Sequence, residues 1–489
     1  RNMTYQLQLN WARQFGKHDL TAMGVFQRSE YVTGSNPTTY RESWAFRATY
    51  NYANRYNIDY NGAYNGSEKF SKEYRFGFFQ SGGVGWTLTN EPYLKALKNF
   101  KVGDMHLVDM LKLRYSYGEI GDDNVGDRWL FMNKWNYGGT SVMNTNQNAS
   151  IYTWYREASL GNPDIHWEVV RKTNYAVDYS FLDGMLAGSV DIFNDKRSDV
   201  MVNGTNRAIP SYFGTAAPTA NLGKVETNGY EIELRFNKSF KDHRVWANMS
   251  MTHAENKIIK RDDRPLAPDY QKQAGYAIGQ PTYHINNGFI NTVDELYGSP
   301  KHDSSDGQKL VGDYYIVDFN GDGLIDQNDA APYGYTGTPE NTYNATIGYE
   351  HKGFSCFVQF YGVSNVNRYV GLGSFGDKLN AVFDQGSWWS QAGNSADVVT
   401  PRYNSTPSYY YGTQMNYDGS YIRLKNVEVA YTWNKGWVKK VGINNLRLFL
   451  SANNLWTYTN MPDDREANGS NVAAYPTVKR INLGLKFSL

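Results

Sequence analysis

Residues 480–489 read Arg480-Ile481-Asn482-Leu483-Gly484-Leu485-Lys486-Phe487-Ser488-Leu489. Ile481, Leu483, Leu485, Phe487 and Leu489 alternate with Asn482, Gly484, Lys486 and Ser488. In a strand, successive side chains point to opposite faces, so this segment has one wholly apolar face and one polar face. The same period of two recurs upstream. Tyr5, Leu7, Leu9 and Trp11 alternate with Gln6, Gln8 and Asn10. Leu111, Leu113, Tyr115 and Tyr117 alternate with Lys112, Arg114 and Ser116. Tyr230, Ile232, Leu234 and Phe236 alternate with Glu231, Glu233 and Arg235, and Leu446, Leu448, Leu450 and Ala452 with Arg447, Ser451 and Asn453.

About fifteen such strands can be read, in line with the ~10-residue segments of membrane barrels. A soluble sandwich alternates too, so the connections decide. Short ones fall at 14–19, 182–185, 237–242, 350–353 and 434–443. Long ones fall at 118–163, 198–223, 261–340, 364–416 and 460–475. Short and long take turns, as periplasmic turns and extracellular loops do. Residues 90–100, with Pro92 near the first turn, read as a short helix on the turn side. In 421–433, Ile422 and Leu424 share one parity while Val427, Val429, Tyr431 and Trp433 take the other; a bulge near Asn426 is expected.

The bulk numbers agree. The chain has 489 residues, 49 Lys plus Arg against 48 Asp plus Glu, and a net charge of +1, so no nucleic-acid footprint is drawn. Aromatic residues make up 16%, including 40 Tyr and 13 Trp, types that favour places with one apolar and one wet end. The mean hydropathy is −0.63. No apolar run approaches the ~18 residues of a membrane helix, a test that strands evade. The one cysteine, Cys356, excludes an intramolecular disulfide and a cysteine-cluster zinc site; on a face with Phe354, Val358 and Phe360 it reads as a small lipid-facing hydrophobe. The first residue is Arg1, inside an alternating segment, so a signal peptide and further N-terminal region are expected to be missing.

Seven segments, in order, resemble the SusC/RagA-like family of TonB-dependent outer-membrane transporters. They are Leu111–Gly121 (LKLRYSYGEIG), Asn162–Glu168 (NPDIHWE), Asn221–Leu234 (NLGKVETNGYEIEL), Gly312–Asp329 (GDYYIVDFNGDGLIDQND), Tyr421–Trp433 (YIRLKNVEVAYTW), Leu448–Asn460 (LFLSANNLWTYTN) and Tyr475–Leu489 (YPTVKRINLGLKFSL). The resemblance implies an all-β transmembrane barrel of 22 strands, of which residues 1–489 are the C-terminal part, in the outer membrane of a Gram-negative bacterium. A plug domain and the first barrel strands would lie upstream. It further implies a SusD-like surface lipoprotein as a lid, and coupling to the TonB system through the N-terminal region. Barrels of this kind often end in an aromatic; here Phe487 stands in for it ahead of Leu489.

The sharpest local motif is Asp318–Asp329, which fits a twelve-residue calcium loop. Asp318, Asn320 and Asp322 hold its first, third and fifth places, Gly323 the sharp turn at the sixth, the Leu324 carbonyl the seventh, Asp326 the ninth and Asp329 the twelfth. Asp329 replaces the usual Glu with a shorter reach. The alternative is an acidic surface loop without metal. Without flanking helices, the expectation is a structural calcium ion, not a sensor. Gly371-Leu372-Gly373-Ser374-Phe375-Gly376 matches a dinucleotide fingerprint by letters only, lacking a βαβ setting, and reads as an extracellular loop.

The eight His form no metalloprotease or triad constellation, and the many carboxylates read as solvated lumen charges rather than a glycosidase pair, so no enzyme is expected. Loop aromatics are the candidate substrate contacts: Trp129, Trp135, Tyr137, Tyr152, Trp154, Tyr155, Tyr409, Tyr410 and Tyr411. Interleaved with Asn, Gln, Ser and Thr, they suit an oligosaccharide better than an oligopeptide, which needs strand pairing or side-chain pockets. Trp388 and Trp389, with 397–403, are candidate interface residues for the lipoprotein. An adhesin or passive porin is the reading of another class.

Overall fold

The computed structural model describes all residues except 95–99, 142–151, 304–305, 370–388, 391–411, 441, 462–476 and 489. Among the described residues, fifteen strands form one sheet in which each strand neighbours those next to it in the sheet's chain order. They are β1 (Asn2–Phe15), β2 (His18–Tyr31), β3 (Thr39–Tyr52), β4 (Tyr56–Ser67), β5 (Phe76–Thr87), β6 (Val108–Asp122), β7 (Glu168–Phe181) and β8 (Leu186–Val202). Then follow β9 (Ala220–Phe240), β10 (His243–Lys260), β11 (Asn341–His351), β12 (Phe354–Ser364), β13 (Tyr421–Trp433), β14 (Asn445–Thr459) and β15 (Arg480–Ser488). The expected number of strands is met.

The chain divides into two compact units. One holds residues 1–231, 255–267 and 272–276; the other holds 232–254, 268–271 and 277–489.

In the first unit, the register His18↔Tyr52, Tyr56↔Trp86 and Phe181↔Leu186 puts connections 16–17, 53–55, 88–107 and 182–185 at one end of the strands. Connections 32–38, 68–75, 123–167 and 203–219 lie at the other. In the second unit, His243↔His351, Phe354↔Tyr431 and Trp433↔Leu446 bring together the ends at 241–242, 352–353 and 434–444. The longest connections therefore lie opposite the tight turns, as expected. The segregation is less strict than loop counting implies, because 32–38 and 68–75 are short on the loop side and 88–107 is long on the turn side. Within 88–107, Leu88–Asn90 is a 3-10 turn; 95–99 of the expected helix lie outside the described residues.

The apolar faces are bare. Leu9 is 69% exposed, Leu483 75% and Ile481 67%. Each such side chain left in water forfeits on the order of 1.5–3 kcal/mol. Rows of them on successive strands exceed what a soluble surface carries, and mark a face whose solvent is hydrocarbon. Cys356, partly exposed, lies on this face between Tyr349 and Val429.

Glycines meet large rings across strands. Gly62 lies under its partner Phe46, Gly66 under Phe76, Gly348 under Trp246 and Gly484 under Phe449. A Cβ on any of them would come 2.2–2.4 Å from a ring carbon. The missing side chain is thus the seat for the aromatic, which locks register. The expected break in β13 is present: between Leu424 and Asn426 the ladder shifts against both neighbours, with Lys425 the extra residue against β12 and two residues, 454 and 455, facing it on β14. Opposite it, Asn454 takes a left-handed φ of 55°.

Buried cores sit at the loop end. In the first unit Phe70, Phe79, Val125, Ile165 and Trp167 form one. In the second, Tyr314, Ile316, Ile325 and Met415 form another inside the long connections. Residues 277–340 are a small folded body, with strand pairs 282–284/330–332 and 286–289/314–316 and a helix Val293–Gly298. Thr292 caps that helix by accepting from Glu295 N, and Glu295 accepts from Asn291 N, a reciprocal cap.

Candidate functional site

The polar faces of the strands carry the chemistry. In the first unit, Arg114 on β6 is bound by both oxygens of Asp178 on β7, each at 2.8 Å, and lies 3.3 Å from Asp191 on β8. Asn174 donates to Asp191 at 2.9 Å, and Lys172 pairs with Asp195 at 2.8 Å. Arg197 bridges Asp122 and Glu168. These partners lie on neighbouring strands at the parity opposite the apolar belt, so alternation alone delivers them to one surface.

A hollow of about 360 Å³ opens on that surface, lined by Thr49, Asn51, Asn57, Asp59, Lys112 and Asn174 beside Arg114. Its floor is Gly83 and Gly85 of β5, and Lys112 lies across Gly85, its Cε 3.0 Å from where a Cβ would stand. Charges in it largely cancel: Asp59 binds Arg47, and Arg114 serves two aspartates. Carboxamides, hydroxyls and compensated charges can hydrogen-bond a hydrated neutral ligand. They supply no paired nucleophile and base. The signal of this hollow in the sequence is glycine at two successive polar-parity positions, 83 and 85.

The second unit has an amide ladder on its polar face. Gln359 donates to Asn344 at 2.9 Å, Asn426 to Gln359 at 2.5 Å and Asn453 to Asn426, spanning β11 to β14. Arg447 pairs with Glu428 beside it.

The candidate loop aromatics do not form one group. Trp135 and Tyr137 stand on strand Lys134–Ser141, paired with Tyr152–Ser159. Trp135, Tyr137 and Tyr155 are each exposed by 61–69%, and the Tyr137 and Tyr155 rings lie 4.9 Å apart. Tyr152 and Trp154 fall on the second of these strands, but their side chains lie outside the described residues. Trp129 is elsewhere, at a left-handed φ of 60° and half-buried under the Arg128 guanidinium, 4.5 Å from the ring centre. Tyr409, Tyr410, Tyr411, Trp388, 397–403 and the Gly371–Gly376 motif lie outside the described residues. Trp389 donates to Asn291 at 3.0 Å, which ties it to the 277–340 body.

The Asp318–Asp329 segment closes on itself. Gly321 and Gly323 take left-handed φ of 76° and 87°, the sharp turn that the spacing requires. Asp318 accepts from Gly321, Asp322 and Gly323 N–H at 2.7–3.2 Å; these amides, Gly323 first, hold its carboxyl below the usual range. Asp329 is fully buried and accepts from Phe319, Asn320 and Asp326 N–H. Asp322 accepts from Leu324 N–H, and Asp326 from Asn328 N–H. The carboxylates themselves are turned to amides, and among the described residues no three His, Cys, Asp or Glu are grouped to hold a metal.

An antiparallel sheet with a bare apolar face, a charged polar face and loops set against turns defines an outer-membrane β-barrel. No family model matches the chain. It is 26% identical over 472 residues to TonB-dependent receptor P3 of Formosa agariphila, covering 90% of this chain and 44% of that protein. It is 24% identical over 528 residues to TonB-dependent receptor SusC of Bacteroides thetaiotaomicron, covering 99% and 50%. The solved RagAB peptide transporter superposes with a TM-score of 0.75 at 18% identity, over 99% of this chain and 55% of that one. The chain thus spans about half the length of the curated relatives it matches. Its similarity is to TonB-dependent receptors of the SusC type, proteins of the Gram-negative outer membrane.

Proposed function

We propose that this chain is the barrel wall of an active importer of large nutrients, working with a SusD-like surface lipoprotein and driven through the TonB system. The observation that carries the reading is the sequence relation to TonB-dependent receptors over 90% of the chain. The ion-paired polar face and its hollow suit a hydrated passage. Deleting the gene should abolish uptake of one nutrient class, and a tagged receptor should recover the lipoprotein in near-equal amount. Uptake unchanged in the deletion strain would remove the reading.

For the substrate, the proposal is an oligosaccharide. The exposed Trp135, Tyr137 and Tyr155 offer ring faces to pyranose C–H groups, with Asn133, Asn136 and Glu157 at hand for hydroxyls. The second reading is an oligopeptide, as in the solved peptide transporter that shares the fold. Substituting Trp135, Tyr137 and Tyr155 together by Ala should weaken glycan uptake by about tenfold or more, at roughly 0.5–1.5 kcal/mol for each aromatic contact. Loss of peptide uptake with glycan uptake intact would reverse the choice.

The Asp318–Asp329 loop is proposed to take one structural calcium ion, with Asp318, Asn320, Asp322, Asp326, Asp329 and the Leu324 carbonyl as oxygens. Binding would have to turn these oxygens inward at some expense of their amide partners. The ion would sit at about 2.4 Å from its ligands. Asp322→Ala should abolish terbium luminescence excited through the protein's aromatics, and a structure grown in calcium with water at that point would reject the ion.

A further inference from the structure

In the second unit, the turns 241–242 and 352–353 lie side by side, because His243 opens β10 directly opposite His351 at the close of β11. Their imidazoles stack at 4.0 Å and 15°. Phe240 stacks on His243 at 5.4 Å and 17°, giving a column of three near-parallel rings. His243 Nδ1 is 2.7 Å from the Tyr349 hydroxyl. His351 Nδ1 is enclosed without a hydrogen-bond partner. The two Nε2 atoms are the ring nitrogens that these contacts leave over.

The column stands at the end of the apolar belt. Phe236, Phe240, His243, Tyr349 and His351 share the parity of Ile232, Leu234 and Ile347 on these strands. The ground beyond it is basic. Lys241, Lys352, Lys435, Lys439 and Lys440 are exposed there, against Asp242, which binds Lys352 at 3.0 Å. Trp437, 56% exposed, lies in the same short helix as Lys439 and Lys440. Aromatic and basic groups at the hydrocarbon edge are what a phosphate head group meets when its acyl chains follow the belt.

We propose that this rim is a binding site for the phosphate of a phospholipid in the periplasmic leaflet, held by the His243 and His351 imidazoles and by Lys241 and Lys352. Two features select a lipid. The surplus of positive charge complements an anion, and the site is continuous with the lipid-facing band, so the acyl chains need no second groove. The proposal rests on the outer-membrane assignment and not on what the receptor imports.

The test uses the full receptor purified in detergent and titrated with phosphatidylglycerol, read by native mass spectrometry. Diacylglycerol of the same chains is the phosphate-free control, and inorganic phosphate the lipid-free one. Wild type should retain phosphatidylglycerol over diacylglycerol. Lys241→Ser with Lys352→Ser should lower retention by about 25-fold, at about fivefold for each lysine at a membrane surface. These lysines are exposed turn residues, so heat-modifiable folding on a gel should stay unchanged. His243→Ala with His351→Ala should lower retention further. Equal retention of diacylglycerol, displacement by millimolar inorganic phosphate, or undiminished retention in the folded lysine variant would each overturn the site.

Discussion

Gly121 and His302 are two residues whose behaviour follows from what surrounds them. A Cβ at Gly121 would stand 1.9 Å from the Phe79 ring, and Phe79 is locked in a buried cluster with Phe70 and Trp167. Gly121→Ala should therefore cost about 1–3 kcal/mol of stability, measured by urea unfolding in detergent. A change below experimental error would mean that Phe79 swings away freely. His302 is buried, and burial first, then the Lys309 charge, pushes its pKa down to about 4. Asp306, Asp313 and Asp303 oppose that shift. The folded state thus binds this proton less readily than the unfolded chain. Its contribution to stability is intact above about pH 6.5 and drains away as pH falls toward 4. Asp306 and Asp318, held below the usual carboxylate range, stay ionised through most of that window. Limited proteolysis within 277–340 should accelerate between pH 6.5 and 4, and His302→Gln should flatten the profile.

Among elements, β13 is the informative one. Alternation in the sequence announced a phase change near Asn426, and the ladder against β12 puts the extra residue at Lys425. Removing Lys425 would leave Leu424 and Val427 two positions apart, both still on the apolar face. Removing Glu428 would instead turn Val429, Tyr431 and Trp433 to the polar face. The first deletion should retain a heat-modifiable, folded receptor and the second should abolish it. Two failures would mean that the two-residue step at 454–455 on β14 needs Lys425 opposite it. Strands were legible because alternation is a local property of the chain. The hollow over Gly83 and Gly85 was not, because Asn51, Asn57, Lys112 and Asn174 meet there from β3, β4, β6 and β7, and no single segment announces that meeting. The Arg128 guanidinium over the Trp129 ring was not legible either, since a loop sequence does not say which neighbour will lie on an aromatic face.

For the whole molecule, orientation is the claim most open to test. With Cys356 replaced by Ser, single cysteines placed within 277–340 should react with a membrane-impermeant maleimide on intact cells. Cysteines at Lys241 or Lys352 should not react until the outer membrane is permeabilised. Labelling of both sets on intact cells would end the topology. The division of connections into turns and loops was visible in the sequence because strand length and loop length are one-dimensional quantities. Its exceptions were not, since 32–38 and 68–75 are loops by position and turns by length.

Each strand of the sheet pairs with its predecessor, and no connection leaps over a strand. Every pairing closes a ring only as long as one hairpin and its connection, and the longest connection shortens its own ring by pairing 282–284 with 330–332 and 286–289 with 314–316. Lengthening such a connection is cheap, since doubling a flexible loop adds only about 0.6 kcal/mol of closure entropy. The sheet can therefore grow one hairpin at a time, as a zipper grows. By the same reasoning, a chain cut between 370 and 411 leaves two stretches that each keep their own sheet pairings and must regain the seam between β12 and β13, the short pair 367–369/416–418 and the seat of Met415 in the core of the 277–340 body. Co-expressed, the two pieces should find each other along that seam, with the aromatic-on-glycine seats already built inside each.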